Sequence, residues 1–80
     1  MTEELAKKFY SVNLVAFIYM IIGRLPEVYK DIEGLIYFVY EDSKEISLLI
    51  NVYKKTHVQV DLHNYLAAFK DVRALMRTLQ

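Results

Sequence analysis

The chain has 80 residues with ten basic and ten acidic side chains, so its formal net charge at pH 7 is zero. Hydrophobic residues make up 55% of the chain, seven residues are Tyr, and none is Cys. A chain of this size builds a single domain, residues 1–80, around one core. The composition excludes disulfides and thiolate metal sites, and the zero net charge removes the simplest electrostatic argument for a nucleic-acid partner.

The most apolar stretch covers residues 14–22, which is much shorter than the roughly 20 residues that a membrane span needs. The first residues, Met1 to Glu4, are acidic where a secretory signal is positively charged. We therefore expect a cytoplasmic protein without a membrane segment.

After a polar lead-in, residues 9–12 have the aromatic and β-branched composition of a short strand. Asn13 is a favourable N-cap, so a buried helix is predicted over residues 14–22. Gly23 supplies the left-handed position that ends it. An alternative is one helix over residues 2–22, which the four-residue spacing of several apolar side chains also permits.

Side chains in residues 27–32 alternate as expected for a strand with one solvent-exposed face, and Glu33 and Gly34 form a turn after them. Residues 35–40 read LIYFVY, six consecutive apolar or aromatic residues. Such a run without alternation predicts a central strand covered on both faces. The two strands are expected to form an antiparallel hairpin.

Asp42, followed three residues later by Glu45, has the pattern of a capping box, which predicts a helix over residues 43–55. Its apolar residues recur at helical spacing on one face. They are Ile46, Leu49, Ile50 and Tyr53.

Residues 56–60 alternate like a short edge strand, and Asp61 can cap a third helix that runs to the C-terminus. The order β-α-β-β-α-β-α predicts an α+β fold, an antiparallel sheet of three to four strands covered by helices. It is related to the ferredoxin-like two-layer sandwich. The predicted core consists of Leu14, Phe17, Ile21, Phe38, Ile46, Leu49, Ile50, Leu66, Phe69 and Val72.

The chain contains four sequence landmarks. They are FYSVNLVA from residue 9, IYFVYED from residue 36, Tyr53, and a block of apolar and basic residues from Val60 to Met76. With these landmarks the chain resembles a family of small phage and prophage proteins whose domain has no assigned function. The resemblance covers nearly the whole chain. It implies a phage or mobile-element context, hence a bacterial host cytoplasm, and no known catalytic residues.

No constellation of residues points to catalysis. His57 and His63 flank Asp61, but a metal site needs three or four convergent ligands, so surface positions are the favoured interpretation. The carboxylates lie on the hairpin and at a helix cap, where solvation keeps their chemistry ordinary. The serines lack a nearby base. We expect no catalytic residues, no metal, no cofactor and no enzymatic activity.

The charge is unevenly distributed along the chain. Residues 27–45 carry six acidic and two basic side chains, whereas residues 54–80 carry five basic and two acidic ones. Lys70, Arg73 and Arg77 recur at i, i+3 and i+7, which places them on one side of the third helix. This basic ridge (Lys70, Arg73 and Arg77) can contact phosphates or an acidic protein groove, or it can be a solvated helix face.

A second candidate surface is formed by the hairpin residues Tyr29, Tyr37 and Tyr40. The third strand of a βαββαβ scaffold is where an RNA-recognition motif carries its basic and aromatic signature. Here Glu33 replaces the basic residue and Leu35 an aromatic one, which favours ordinary sheet packing.

Together these features predict a small non-enzymatic phage or mobile-element protein that binds a macromolecular partner. A host protein is favoured over nucleic acid, with the chain acting, for example, as an inhibitor or anti-defence factor. The alternative is a nucleic-acid-binding accessory protein of phage replication or regulation. A homodimer is also expected, because the chain has more apolar side chains than one small core can hide.

Overall fold

The computed structural model describes residues 6–55 and 60–79, which contain three strands and three helices. In chain order they are β1 (Ala6–Phe9), α1 (Val12–Ile22), β2 (Glu27–Lys30), β3 (Ile36–Glu41), α2 (Lys44–Lys55) and α3 (Leu62–Arg77). The predicted α+β class is confirmed. The strand predicted over residues 56–60 lies outside the described residues except for Val60, which belongs to no strand.

The sheet has the strand order β1-β3-β2, and both pairs are antiparallel. β3 is therefore the central strand, as the LIYFVY run predicts. The expected cover on both faces is wrong among the described residues, because the helices pack on the Phe38 and Tyr40 side and leave Tyr37 and Val39 only half-buried. β1 faces Glu41 to Phe38 of β3, and β2 faces Val39 to Ile36. Two edges remain in the described sheet, one along β1 and one along β2.

The start of the chain differs from its prediction. β1 ends at Phe9 instead of beginning there, and the alternative of one long helix is wrong. α1 begins at Val12 because Ser11 is its N-cap: the Ser11 Oγ accepts a hydrogen bond from the Leu14 N–H at 3.2 Å. Asn13 is already helical, so the predicted cap is displaced by two residues.

The helix α1 is the centre of the core. Its four consecutive residues Val15, Ala16, Phe17 and Ile18 are all buried. Successive side chains on a helix point about 100° apart, so α1 must be covered on all sides. It ends at Gly23, whose φ of 76° is left-handed and whose N–H donates to the Tyr19 carbonyl at 2.8 Å.

The turn between β2 and β3 is organised by Asp31. Its Oδ1 accepts hydrogen bonds from the N–H groups of Glu33 at 3.0 Å and Leu35 at 2.9 Å. Gly34 adopts a φ of 88°, a conformation that favours glycine and is common at this position of a three-residue hairpin loop. The predicted hairpin is thus confirmed, with its turn at residues 32–34.

Most of the predicted core is confirmed. Five of those side chains are buried and three pack partly buried against them: Leu14, Phe17, Phe38, Ile46 and Val72, then Leu49, Ile50 and Phe69. The assignment of Ile21 and Leu66 to the core is wrong, because these residues are 50% and 55% exposed. Ile21 lies in the last turn of α1, where the cover over the helix thins, and Leu66 shares the outward side of α3 with Lys70.

The cap of α2 is also displaced by one residue. The Ser43 Oγ accepts a hydrogen bond from the Ile46 N–H at 3.2 Å, which makes Ser43 the capping residue. Asp42 instead forms an ion pair with Lys7 of β1, at 3.8 Å between Oδ1 and Nζ. The predicted cap of α3 is confirmed, because Asp61 Oδ1 accepts from the Asn64 N–H at 3.1 Å.

The two candidate caps of α2 give different expectations for stability. Ser43→Ala should lower the free energy of unfolding by about 1 kcal/mol, because a helix N–H loses its acceptor. Asp42→Ala should lower it by less than about 0.5 kcal/mol, since it removes only an exposed ion pair. Urea unfolding followed by circular dichroism measures both, and an equal loss for the two variants would contradict the assignment.

Phe38 is fully buried at the middle of β3, so Phe38→Ala should cost about 3–5 kcal/mol. That loss approaches the whole stability of a domain this small. Leu66→Ala is the matched control, because that side chain is exposed and should change the stability by less than about 0.5 kcal/mol. Thermal melts compare the two, and similar midpoints would show that the core has been placed incorrectly.

Candidate functional site

Three tyrosine rings lie side by side across the three strands. The sheet register pairs Tyr29 of β2 with Tyr37 of β3, and continuing the β1 register by one residue places Tyr10 on the other side of Tyr37. Both neighbouring pairs have ring centroids 5.7 Å apart, and the Tyr29 and Tyr37 rings are stacked. We call Tyr10, Tyr37 and Tyr29 the tyrosine row.

The row lies on the face of the sheet that α1 does not cover. Along β3 the side chains alternate, so Phe38 and Tyr40 point into the core while Tyr37 and Val39 point the other way. The rings of Tyr10 and Tyr29 are 51% and 44% exposed. The row is therefore an aromatic surface that a partner can reach.

Carboxylates hold both ends of the row. The Tyr29 hydroxyl donates a hydrogen bond to Glu27 Oε1 at 2.6 Å, and the Tyr10 hydroxyl donates to Asp31 Oδ2 at 3.3 Å. The hydrogen bond to Glu27 raises the pKa of Tyr29, because it stabilises the neutral hydroxyl that donates it. Desolvation and the Asp31 carboxylate raise the pKa of Tyr10. Both hydroxyls stay protonated at neutral pH.

A lysine ammonium group lies over the central ring of the row. The Lys8 Nζ of β1 lies 4.8 Å from the centroid of the Tyr37 ring, within the range of a cation–π interaction. Lys8 belongs to the same outward face, since its register partner is Val39. The surface thus combines three aromatic rings, the ammonium group of Lys8 and the carboxylates at both ends of the row.

A cleft of about 330 Å³ lies at one end of the sheet, next to the Glu27 carboxylate that holds Tyr29. Its lining includes Glu27, the cross-strand partner of Val39, and Glu41, which lies two residues beyond Val39 on β3. Arg24 also lines it, with Nη2 3.7 Å from the Glu41 carboxylate. Glu27 thus lines the cleft and also holds one end of the row.

Tyr40, which the sequence groups with Tyr29 and Tyr37, does not belong to this surface. Its ring is 3% exposed and packs edge-on against Phe9, while its hydroxyl donates to the Arg24 carbonyl at 2.9 Å. Burial raises the pKa of Tyr40 far above its ordinary value. The reason is strand parity: an even-numbered residue of β3 faces α1.

The basic ridge lies apart from the tyrosine row. Lys70, Arg73 and Arg77 are exposed on α3, which packs against α1 on the helical side of the sheet. None of the three forms an ion pair within the residues that the structure describes. The exposed Leu62 and Leu66 precede them on the same side of α3.

Two residues of this surface were not predicted from the sequence. Tyr10 and Lys8 precede α1, and their alternation with the inward-facing Phe9 shows only once β1 is placed at Ala6–Phe9. The signal was the pattern Lys-Phe-Tyr, in which an apolar residue separates two amphipathic ones.

Among the described residues, no three metal-binding side chains converge. His63 is exposed on α3, and His57 lies outside the described residues. Across residues 6–55 and 60–79, every helix is too short or too polar to cross a bilayer.

These features define a small α+β domain whose three-stranded antiparallel sheet has one face packed against helices and an opposite face that displays aromatic rings. The chain belongs to the family described as Domain of unknown function (DUF5659), whose model matches residues 7–78. Membership in a family without an assigned function is thereby confirmed, and the phage context stays a prediction. Neither a curated protein nor a solved structure matches the chain.

The buried hydroxyl of Tyr40 should make the domain sensitive to alkaline pH. Its pKa in the folded state lies above the ordinary value of 10.0, so its contribution is fully present below pH 10 and is lost as the pH rises. At pH 11, one unit above the unfolded pKa, the loss should be about 1.4 kcal/mol. Tyr40→Phe should cost about 1 kcal/mol at pH 7 through the lost hydrogen bond.

Urea unfolding of both forms at the two pH values measures this difference. The stability deficit of Tyr40→Phe should shrink or reverse between neutral and alkaline pH, because phenylalanine cannot ionise. A deficit of the same size at both pH values would show that the hydroxyl does not stay neutral in the folded state.

Proposed function

We propose that this chain is a small non-enzymatic protein of a phage or mobile element that acts in the cytoplasm of a bacterial host. It binds a macromolecular partner, with a host protein favoured, for example as an inhibitor or anti-defence factor. The exposed tyrosine row is the observation that carries the proposal.

The row has the properties of a protein-binding surface. Tyrosine is enriched at interfaces because its ring offers a large apolar area at a small cost in side-chain entropy. In this chain that cost is reduced further, since each ring contacts its neighbour and the outer two hydroxyls are held by Glu27 and Asp31. A surface held in this way before binding gains affinity through its preorganisation.

Charge favours protein over nucleic acid as the partner of this face. Aromatic rings on a sheet can stack with bases, but the carboxylates of Glu27 and Asp31 lie at both ends of the row and would repel phosphates. Lys8 lies over the central ring of the row, and Arg24 pairs with Glu41 in the adjoining cleft, so the acidic side chains of the face outnumber its cations.

The second candidate function is nucleic-acid binding, and the basic ridge favours it. Lys70, Arg73 and Arg77 are exposed together on one side of α3, at a spacing that can follow phosphates. The exposed Leu62 and Leu66 beside them favour instead a protein contact or the proposed homodimer. The two surfaces can be tested separately because they lie on opposite sides of the molecule.

Photo-crosslinking in host cells tests which surface is used. A benzophenone amino acid is introduced at Tyr29 in the row, at Lys70 in the ridge, or at the exposed Asn51 of α2 as a control. We expect a covalent adduct with another protein through Tyr29 that resists nuclease, because the partner lies against the rings.

The other adducts discriminate the alternatives. A nuclease-sensitive adduct through Lys70, without one through Tyr29, would overturn the proposal in favour of nucleic acid. An adduct of twice the chain's mass through Tyr29 would identify a second copy as the partner and contradict the host-protein assignment. Equal adducts at Tyr29 and Asn51 would show that the row has no special role.

A further inference from the structure

We infer that the segment that binds this face is positively charged, and that one of its arginine side chains lies between the tyrosine row and Glu27. The inference rests on the proposed function, since it names the chemistry of the partner for the same surface. It follows from the charges on the face, from the position of Lys8 and from the adjoining cleft.

The outward face has more negative than positive groups. Glu27, Asp31 and Glu41 lie on it or at its ends, against Lys8 and against Arg24, which lines the cleft with Glu27 and Glu41. Asp31 is engaged by the turn and Glu41 by Arg24. Glu27 accepts only from the neutral Tyr29 hydroxyl and forms no ion pair within the described residues. Its carboxylate can therefore neutralise an incoming cation beside Tyr29.

Lys8 shows how a cation lies on this surface. Its ammonium group already lies 4.8 Å from the Tyr37 centroid, so the central ring accepts a positive charge from within the chain. The exposed ring of Tyr29 adjoins the Glu27 carboxylate. A planar guanidinium can stack on that ring and form two hydrogen bonds to the carboxylate at the same time. An ammonium group has no flat face to stack and no paired donors to match the two carboxylate oxygens.

The cleft gives the partner's side chain a place to enter. Its volume of about 330 Å³ falls within the range of sites that hold ligands, and Glu27 and Glu41 both line it. Because Glu27 connects the cleft to the row, one extended segment can contact both. A basic segment would also steer its approach through long-range attraction to this acidic face.

Three short synthetic peptides of equal length test the chemistry, each alternating glycine with arginine, lysine or glutamate. Binding is followed by the amide signals of the nitrogen-15-labelled full chain. The arginine peptide should shift the signals of Lys8, Tyr29 and Tyr37. The lysine peptide should bind about threefold more weakly, because it cannot stack and pair together, and the glutamate peptide should shift none of them.

Glu27→Lys should weaken the arginine peptide on the order of tenfold, and Glu27→Gln by about threefold. The matched control is Glu45→Lys, an equal change of charge at an exposed position of α2, which should leave the affinity within about twofold. Circular dichroism verifies that all three variants fold. An equal loss for Glu45→Lys would overturn the inference, because net charge alone would then explain the binding.

Two further results would also overturn it. If the same signals shift with protein concentration in the absence of peptide, the occupant is a second copy of the chain. If no peptide shifts them, the segment is not basic. In that case a nuclease-resistant adduct through Tyr29 would still support the proposed function, so the two failures are distinguishable.

Discussion

The packing of α1 is the constraint on which the rest of the domain depends. A helix with Val15, Ala16, Phe17 and Ile18 all buried cannot lie on a surface, so the sheet and the other two helices must cover it. The sheet covers one side through side chains such as Phe38, and α2 and α3 cover the others. All three helices are consequently on one face of the sheet, and no described helix is left to cover the opposite face.

The uncovered face explains why tyrosine is so abundant on it. A sheet face without cover needs side chains that fill the pleat yet tolerate water, and a tyrosine ring with a hydrogen-bonded hydroxyl meets both needs. Tyr10 and Tyr29 satisfy their hydroxyls with Asp31 and Glu27, which also keeps the rings in place. On the helical side the same residue type has another use: the Tyr19 hydroxyl joins α1 to α3 by donating to Asp71 at 3.1 Å.

Much of this fold was predictable from local pattern, since apolar periodicity indicates α2 and α3 and an unbroken apolar run indicates the central strand. What periodicity cannot give is which way a side chain points in a strand that is apolar throughout. Tyr37 and Tyr40 are equivalent by composition, and only the packing against α1 decides that Tyr40 is inside. The position of β1 depends in the same way on pairing with β3 across thirty residues of sequence.

The caps show the same limit at a smaller scale. Asp42 and Ser43 both suit the start of a helix, and the choice between them depends on a distant residue, because Asp42 pairs with Lys7 of the neighbouring strand. Local propensity restricts such a boundary to within a residue or two, and tertiary contacts decide the rest. Only half of the candidate surface could therefore be predicted from the sequence. Tyr29 and Tyr37 were predictable, whereas the positions of Lys8 and Tyr10 depend on the sheet register.

The alternation of side chains along β3 also separates two kinds of substitution, those that change the outer face and those that change the core. Substitutions at Tyr37 and Val39 alter the outer face without entering the core, so the chemistry of that face can change while the fold stays the same. Substitutions at Phe38 and Tyr40 have the opposite effect, because they disturb the core and leave the outer face intact. A single-residue insertion in this strand would exchange the two sets, so the fold tolerates replacement within β3 better than a change of its length by one residue.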